Sequence, residues 1–543
     1  MQGDGALSVQ PSDAFCSLFF VSARDEAAPR AGQGESIRDL FIDRIFDAAY
    51  GGVEPRKPTA YSYGREEADA RWRGEVFAWL RQAFVNPPRD AQTARRRQEV
   101  AADLGRDNLA GAMRDFQLAM VSMREHMLRG ERASSDVEAR GWFIDAVRIY
   151  CDALHALAAA LAAAGPRSAI LRSLLTDLQA YLGDAAHAEL VAEATALREE
   201  LDRVRYAVRI EGDQVTLLRA PQAEDFSAVV AKTFARFRQG DVRDHRAKLQ
   251  APAGMNHIEA QIIDRVALLH PALFARLEQF TQRYASFADA RWLRLDRELV
   301  FYLWWWDFLR RIRAAGVESC LPELADDGDV EVVEAADLAL AAQAAKAPSA
   351  VVCNDFALHD AERMLVVTGP NHGGKTTLAR TFGQLHHIAA LGLPVGARSA
   401  RVVFPDRILT HFERAENIDN QRGKLQDDLV RMRAIVEAAT ARSLVVMNEV
   451  FSSTSLDDAV WLGQRMMVRL RDIGCRCIFV TFLDELAGFD AHTVSLVAQV
   501  DVADPTVRTF KVVRRDADGK AYARALAQKY RVTREALRQR IAR

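Results

Sequence analysis

The run Gly369-Pro-Asn-His-Gly-Gly-Lys-Thr376 reads G-x-x-x-x-G-K-[ST], a spacing that serves phosphate chemistry. It follows Leu365-Val-Val-Thr368, predicted to be a buried strand, and leads into a predicted helix from Thr377 onward. Glycines let backbone N–H groups turn inward around phosphate oxygens, and a helix N-terminus adds partial positive charge. The pattern assigns Gly369, Pro370, Asn371, His372, Gly373, Gly374, Lys375, Thr376 and Thr377 to a bound nucleotide. Lys375 would reach the β- and γ-phosphates, and the Thr376 hydroxyl would hold Mg²⁺. The bland alternative is a glycine-rich connector.

Hydrolysis needs a second, acidic strand. Ser443-Leu-Val-Val-Met-Asn-Glu449 supplies it, with Glu449 placed to orient the attacking water as a general base. Lys375 and Glu449 are therefore the catalytic candidates. Asn448 stands where an aspartate would carry charge to the metal shell. Its amide oxygen can accept from metal-bound water but brings no charge, so Thr376 and Asn448 form the expected, weakened metal site.

These residues resemble a known family. Thr368-Gly-Pro-Asn-His-Gly-Gly-Lys-Thr-Thr377 is similar to the TGPNMGGKST loop of the MutS mismatch-repair ATPases. Asn354-Asp355 and Arg363-Met-Leu-Val-Val367 resemble the segment before that loop. Pro394-Val-Gly-Ala397 and Asp406-Arg-Ile-Leu-Thr410 resemble the family's PVGA and D-x-I-F-T stretches. Met447-Asn-Glu-Val450, Thr454-Ser-Leu-Asp-Asp458 and Phe479-Val-Thr481 with Glu485-Leu486 fall in the family's order. The likeness covers residues 350–540, and is loose in the helical stretch before it. It implies a homodimer, because such sites are completed across a subunit interface. It also implies DNA as ligand and a role in mismatch repair or recombination.

The departures bear on rate. Asn448 replaces the family's aspartate, and Phe482 stands where a strand-end histidine would lie. The serine loop offered to a partner's ATP is not recognisable. Gly423-Lys-Leu-Gln-Asp-Asp428 occupies that stretch, so Lys424 is the candidate for contact across the dimer, against a solvated loop lysine. The resemblance puts Asp458 near the dimer seam. Asp427 and Asp428 either cap a helix or position the opposing subunit. No Phe-x-Glu wedge for reading a mismatch is evident, and the stretch before residue 350 is short for a full set of mismatch-reading, connector, core and clamp segments. The expectation is a short, divergent member that has no C-terminal nuclease module.

Elements must hold these residues in place. The chain has 543 residues, 49% hydrophobic and 27% charged, which excludes disordered and fibrous classes. Lys+Arg 72 against Asp+Glu 74 excludes a chain that is basic throughout. Six cysteines are too sparse for a disulfide framework, and Cys475 and Cys477 read as small buried hydrophobes on one strand face. No export leader is evident, and no run reaches the apolar length of a membrane helix, so the expectation is cytoplasmic with no membrane partner. Residues 1–90 read as a mixed N-terminal region and 91–330 as a mainly α-helical core and lever. A hairpin is predicted at Tyr206 to Leu218. Residues 331–543 alternate apolar strands with helices, an α/β P-loop ATPase fold of the ABC type with a mostly parallel sheet.

Other features have bland and sharp readings. Trp304-Trp305-Trp306 cannot share one helical face, so core packing is favoured over a base-stacking platform. Arg95-Arg-Arg97 reads as a solvated helix start or a phosphate contact. His257-Ile-Glu259 and His386-His387 lack metal-ligand spacing and read as structural. The basic C-terminal segment Arg531 to Arg543 reads as an amphipathic helix for DNA phosphates or a dimer face. The function expected is a DNA-binding ATPase using ATP and Mg²⁺. The alternatives are a nucleotide-gated clamp with little hydrolysis, and an ATP-driven factor acting on protein partners.

Overall fold

The computed structural model describes residues 17–19, 34–53, 65–212, 214–220, 257–346, 350–413, 423–501 and 507–517, with a few isolated residues besides. The C-terminal segment Arg531 to Arg543 lies outside these, apart from isolated positions.

Helices dominate the first part. They are α1 (Gly34–Asp39), α2 (Ile42–Tyr50), α3 (Arg65–Val85), α4 (Ala91–Leu104), α5 (Asp107–Glu131), α6 (Asp136–Ala164), α7 (Ala169–Leu182) and α8 (Ala185–Asp202). The hairpin β1 (Tyr206–Glu211) and β2 (Gln214–Arg219) appears where expected, with Ile210 opposite Val215. Then come α9 (His257–Leu269), α10 (Pro271–Arg283) and α11 (Ala290–Arg313). Capping sets the ends. The Ser135 hydroxyl accepts from Glu138 N–H to start α6, and Gly165 at φ 57 stops it. By length and composition α6 could cross a membrane, but half of its most apolar stretch is buried in the protein. It is the one such helix among the described residues.

Helix α11 has no single apolar face, and apolar residues on several of its sides are buried. Trp292, Phe301, Tyr302, Trp305 and Phe308 are all enclosed, each contributing roughly 1.5–3 kcal/mol of burial. The three tryptophans fan out, as core packing requires. Trp305 Nε1–H donates to Pro394 O at 3.0 Å and Trp306 Nε1–H to Ala101 O at 2.9 Å. Trp304 lies over Gly52, where a Cβ would meet its ring at 2.7 Å.

The later part builds two sheets from β3 (Glu323–Ala325), β4 (Val330–Ala335), β5 (Asn354–Leu358), β6 (Met364–Thr368), β7 (Ser399–Val403), β8 (Ile408–Phe412), β9 (Leu444–Asn448), β10 (Arg476–Val480), β11 (Thr493–Val500) and β12 (Arg508–Arg514). The larger sheet runs β12-β11-β6-β10-β9-β8, parallel except for β12. Its strands β6, β9 and β10 are buried throughout, as a sheet covered on both faces demands. Helices α12 (Leu338–Ala344), α13 (Lys375–Ala390), α14 (Lys424–Ala438) and α15 (Leu456–Ile473) accompany the strands. The second sheet, β3-β7-β4-β5, was not foreseen in the sequence. Its strand β3 precedes residue 331 yet pairs with β7, so this sheet draws on both sides of the expected division.

The N-terminal helices are tied to the larger sheet. Asp39 Oδ2 accepts from the Thr410 hydroxyl on β8 at 2.7 Å, and Leu40 O accepts from Gln384 Nε2 on α13 at 2.9 Å. Leu40 fills a notch at Gly383, where a Cβ would stand 2.6 Å from its Cδ2. Phe41, at φ 57, sits against the guanidinium groups of Arg44 and Arg380, 3.8 and 3.9 Å from its ring centre.

The basic run Arg95–Arg97 is neither a solvated face nor a free phosphate patch. Arg95 donates to Leu324 O and to Asp326, both at 2.9 Å, and Arg97 is buried against Phe19. His386 and His387 are structural: their rings bond Phe382 O at 2.7 Å and Phe84 O at 2.9 Å. Burial holds His386 down at about 4, so it is neutral at physiological pH. Among the described residues no group of His, Cys, Asp and Glu could hold a metal by itself, and the five described cysteines are free.

Candidate nucleotide site

The loop Gly369–Gly374 joins β6 to α13 at the carboxyl end of the parallel strands, where open α/β sheets place ligands. Two backbone positions make the turn. Gly369 has φ 110, and a Cβ there would press on Ala498 O at 3.0 Å; Gly374, at φ 94, caps α13. The first amides of α13 are thereby turned toward a cleft of about 460 Å³. Residues 371–377 line that cleft together with Glu449 and Phe510.

Within it Lys375 folds back on its own loop. Its ammonium donates to Gly369 O at 2.7 Å, to Asn371 Oδ1 at 3.2 Å and to Pro370 O at 3.3 Å. Burial lowers the lysine's pKa, the nearby Glu449 carboxylate opposes that, and Arg508 reinforces it. A charge held at partial desolvation is suited to a phosphate, which would replace the three carbonyl-type acceptors with stronger ones.

Strand β10 lies between β6 and β9, so the site spans its end. The Thr376 hydroxyl donates to Asn448 Oδ1 at 2.8 Å. Glu449 follows directly on β9 at φ 53, its backbone N–H donating to Val480 O at 2.9 Å. This non-glycine residue in the left-handed region is set by the strand end rather than by its own preference. The donors fit a nucleotide triphosphate: helix amides, a lysine and an aligned hydroxyl. For a divalent cation the adjoining groups, Thr376 and Asn448, are both neutral oxygens, a set that favours indirect contact through water.

Two residues expected to act across a dimer, Lys424 and Asp458, do not line this chain's own cleft. Lys424, the first residue of α14, pairs with Glu413 of the same chain. Asp458 belongs to the cap of α15, accepting from the Ser455 hydroxyl at 2.7 Å while its own N–H donates to Ser455 Oγ at 3.3 Å. Asp428 is buried 3.2 Å from His411 Nε2, close enough for an ion pair but not aligned for a hydrogen bond. Phe482 follows β10 and is 49% exposed.

Sequence reasoning missed Phe510. It sits on β12 at φ 59, 49% exposed, in the cleft wall. Asn354 on β5 fixes it: Nδ2 donates to Phe510 O at 3.1 Å, and Oδ1 accepts from Val512 N–H at 2.7 Å. Arg508 Nε donates to Asn371 O at 3.2 Å, tying the same strand to the loop.

Residues 365–538 match the family model for MutS domain V. The chain carries a MutS-family domain. It is 30% identical over 192 residues to an endonuclease MutS2 of Thermus thermophilus, covering 34% of this chain and 25% of that protein. It is 31% identical over 170 residues to a DNA mismatch repair protein MutS of Rickettsia bellii, covering 31% and 19%. A DNA mismatch repair protein MutS of Anaeromyxobacter dehalogenans aligns over 483 residues at 27% identity, covering 80% of this chain and 53% of its own length. Each aligned stretch thus spans just over half, or much less, of the MutS-family relative. The MutS domain V match includes the loop, the Asn448-Glu449 strand end and Phe510.

Proposed function

We propose that this chain is a MutS-type ATPase of P-loop fold that binds ATP with Mg²⁺ and hydrolyses it. The convergence of Lys375, Thr376 and Glu449 on one cleft at the N-terminus of α13 carries the reading. Lys375 would leave its loop carbonyls for the β- and γ-phosphate oxygens. The α13 amides would hold the remaining phosphate charge, and Thr376 with Asn448 would face the cation. Mg²⁺, when bound, neutralises charge on the phosphate oxygens. Glu449 accepts a proton from the attacking water and aligns it with the γ-phosphorus. The exposed ring of Phe510 offers a face for the base.

DNA as ligand, a homodimer, a role in mismatch repair or recombination and a cytoplasmic location form the rest of this proposal, supported by the MutS domain V match and by the names of the relatives. So does the division into residues 1–90, 91–330 and 331–543, with Lys424 and Asp458 near the dimer seam. Asn448 favours a second reading, a nucleotide-gated clamp or scaffold for DNA or protein partners that barely turns over, because the metal gains no carboxylate from that strand.

Phosphate release by the full chain, with Mg²⁺ and with or without duplex, mismatched or branched DNA, tests the proposal. Turnover well above the Lys375→Ala blank, and lost in Glu449→Gln with nucleotide binding retained, supports the ATPase. Turnover at the blank level with tight ATP binding selects the clamp. Absence of nucleotide binding rejects both.

A further inference from the structure

The edge strand of the larger sheet, β12, falls out of register with β11 where it passes the nucleotide cleft. Ala498 pairs with Val512 and Val500 with Arg508, so Gln499 alone faces the three residues Thr509 to Lys511. The excess forms a bulge, a device that re-aims a side chain beside a site. Part of it closes on itself. The Thr509 hydroxyl donates to Gln499 O at 3.0 Å and accepts from Lys511 N–H at 3.3 Å. Phe510, at the middle of the bulge, has φ 59 and lines the cleft. Its main chain lies on the nucleotide loop, where a Cβ on Gly374 would stand 3.3 Å from Phe510 O.

Two main-chain groups on the far side of the bulge are taken by one side chain from the other sheet. Asn354, buried at the start of β5, donates from Nδ2 to Phe510 O at 3.1 Å and accepts at Oδ1 from Val512 N–H at 2.7 Å. A carboxamide has a donor end and an acceptor end in one plane, as a peptide group has, so here it stands in for a neighbouring strand at the open edge. An ionised aspartate has no donor for Phe510 O, and an apolar side chain serves neither group. The two bonds fix the peptide planes on either side of Lys511, and with them the course of the chain as it leaves Phe510. Phenylalanine avoids the left-handed region unless its surroundings hold it there, and this pair of bonds is such a restraint.

We propose that Asn354 is a positioning residue for the nucleotide base: its carboxamide holds the β12 bulge so that Phe510 faces the cleft, and affinity for the base, rather than for the phosphates, depends on it. The inference rests on the cleft being a nucleotide site with Phe510 as the platform for the base.

Calorimetry of the full chain with Mg²⁺ and either ATP or inorganic triphosphate tests this, on the wild type, Asn354→Ala, Phe510→Ala and the double variant. Asn354→Ala is expected to weaken ATP by about tenfold, the scale of a lost base stack, and to leave triphosphate unchanged. The double variant should bind ATP no more weakly than Phe510→Ala, because both changes act through one ring. Equal weakening of ATP and triphosphate would overturn the proposal, since that marks a damaged loop. So would ATP binding unchanged in either single variant, or losses that multiply in the double variant. A wild type that binds neither ligand would instead reject the nucleotide site itself, and this role for Asn354 with it. Should Asn354→Ala fold poorly, Asn354→Asp replaces it. Its carboxylate still accepts from Val512 N–H but offers nothing to Phe510 O, so the same ATP-selective loss is required, and ATP binding equal to wild type refutes the role.

Discussion

The Thr376 hydroxyl and the Asn448 amide oxygen are hydrogen-bonded at 2.8 Å, joining the start of α13 to the end of β9. The contact aligns two neutral oxygens at the cleft, where an acid at position 448 would add a negative charge beside the same hydroxyl.

Asn448→Asp should therefore restore charge without loss of geometry, since a carboxylate accepts the same hydroxyl hydrogen bond. The half-saturating Mg²⁺ concentration for nucleotide binding is expected to fall by about tenfold, a gain of roughly 1.4 kcal/mol. Phosphate release should rise with it. A Mg²⁺ titration followed by a fluorescent ATP analogue checks the first, and an unchanged midpoint would show that position 448 does not face the cation.

Phe510→Ala should weaken ATP by about tenfold, within the roughly 1–3 kcal/mol that base stacking on an aromatic ring supplies. Inorganic triphosphate, which has no base, should bind as before. Calorimetry with both ligands separates a base platform from a purely structural ring.

Leu40 and Gly383 should be energetically coupled. Gly383→Ala places a Cβ about 2.6 Å from the Leu40 side chain and should cost about 1–3 kcal/mol of stability. In a Leu40→Ala background the added methyl meets free space, and its cost should fall close to zero or change sign. Denaturant unfolding of the four chains gives the coupling; strict additivity would mean that the α1–α2 junction and α13 give way independently.

Stability should decline between mildly acidic and alkaline pH through helix α11. Burial holds the Glu298 carboxyl up at about 7, against the donors on Ser17 and Leu18 and the positive charge of Arg297 and Arg294. Burial likewise holds Asp296 up at about 6, against Arg124 on α5. A folded value raised above the unfolded one stabilises at low pH, and that contribution is lost as pH rises through the folded value. From pH 5.5 to 8 the melting temperature should fall, and Glu298→Gln should make that fall smaller by roughly 2–4 °C. An unchanged slope in the variant would exclude Glu298 as the source.

The turn from β6 into α13 was legible because its glycines and flanking apolar strand are written in one short run of residues. Glu449 was legible because an apolar strand ends on it. Phe510 was not, because its place in the cleft depends on a left-handed backbone that phenylalanine does not advertise and on Asn354, 156 residues away. The second sheet escaped for a related reason: β3 has three residues and its partners are only partly buried, too little for a periodic pattern to emerge. Arg95 and Arg97 looked like a surface run because their partners, Asp326 and Phe19, are set by tertiary packing alone.

The anchoring of Leu40 on Gln384, 344 positions later in the chain, also has a meaning for synthesis. At about 5–20 residues per second, a ribosome needs roughly 20–70 s to deliver α13 after the N-terminal helices have emerged. Through that interval Asp39 and Leu40 are without the β8 hydroxyl and the α13 notch that will receive them. Chaperone dependence of the nascent chain should therefore concentrate at its beginning, and should end only when β8 leaves the exit tunnel.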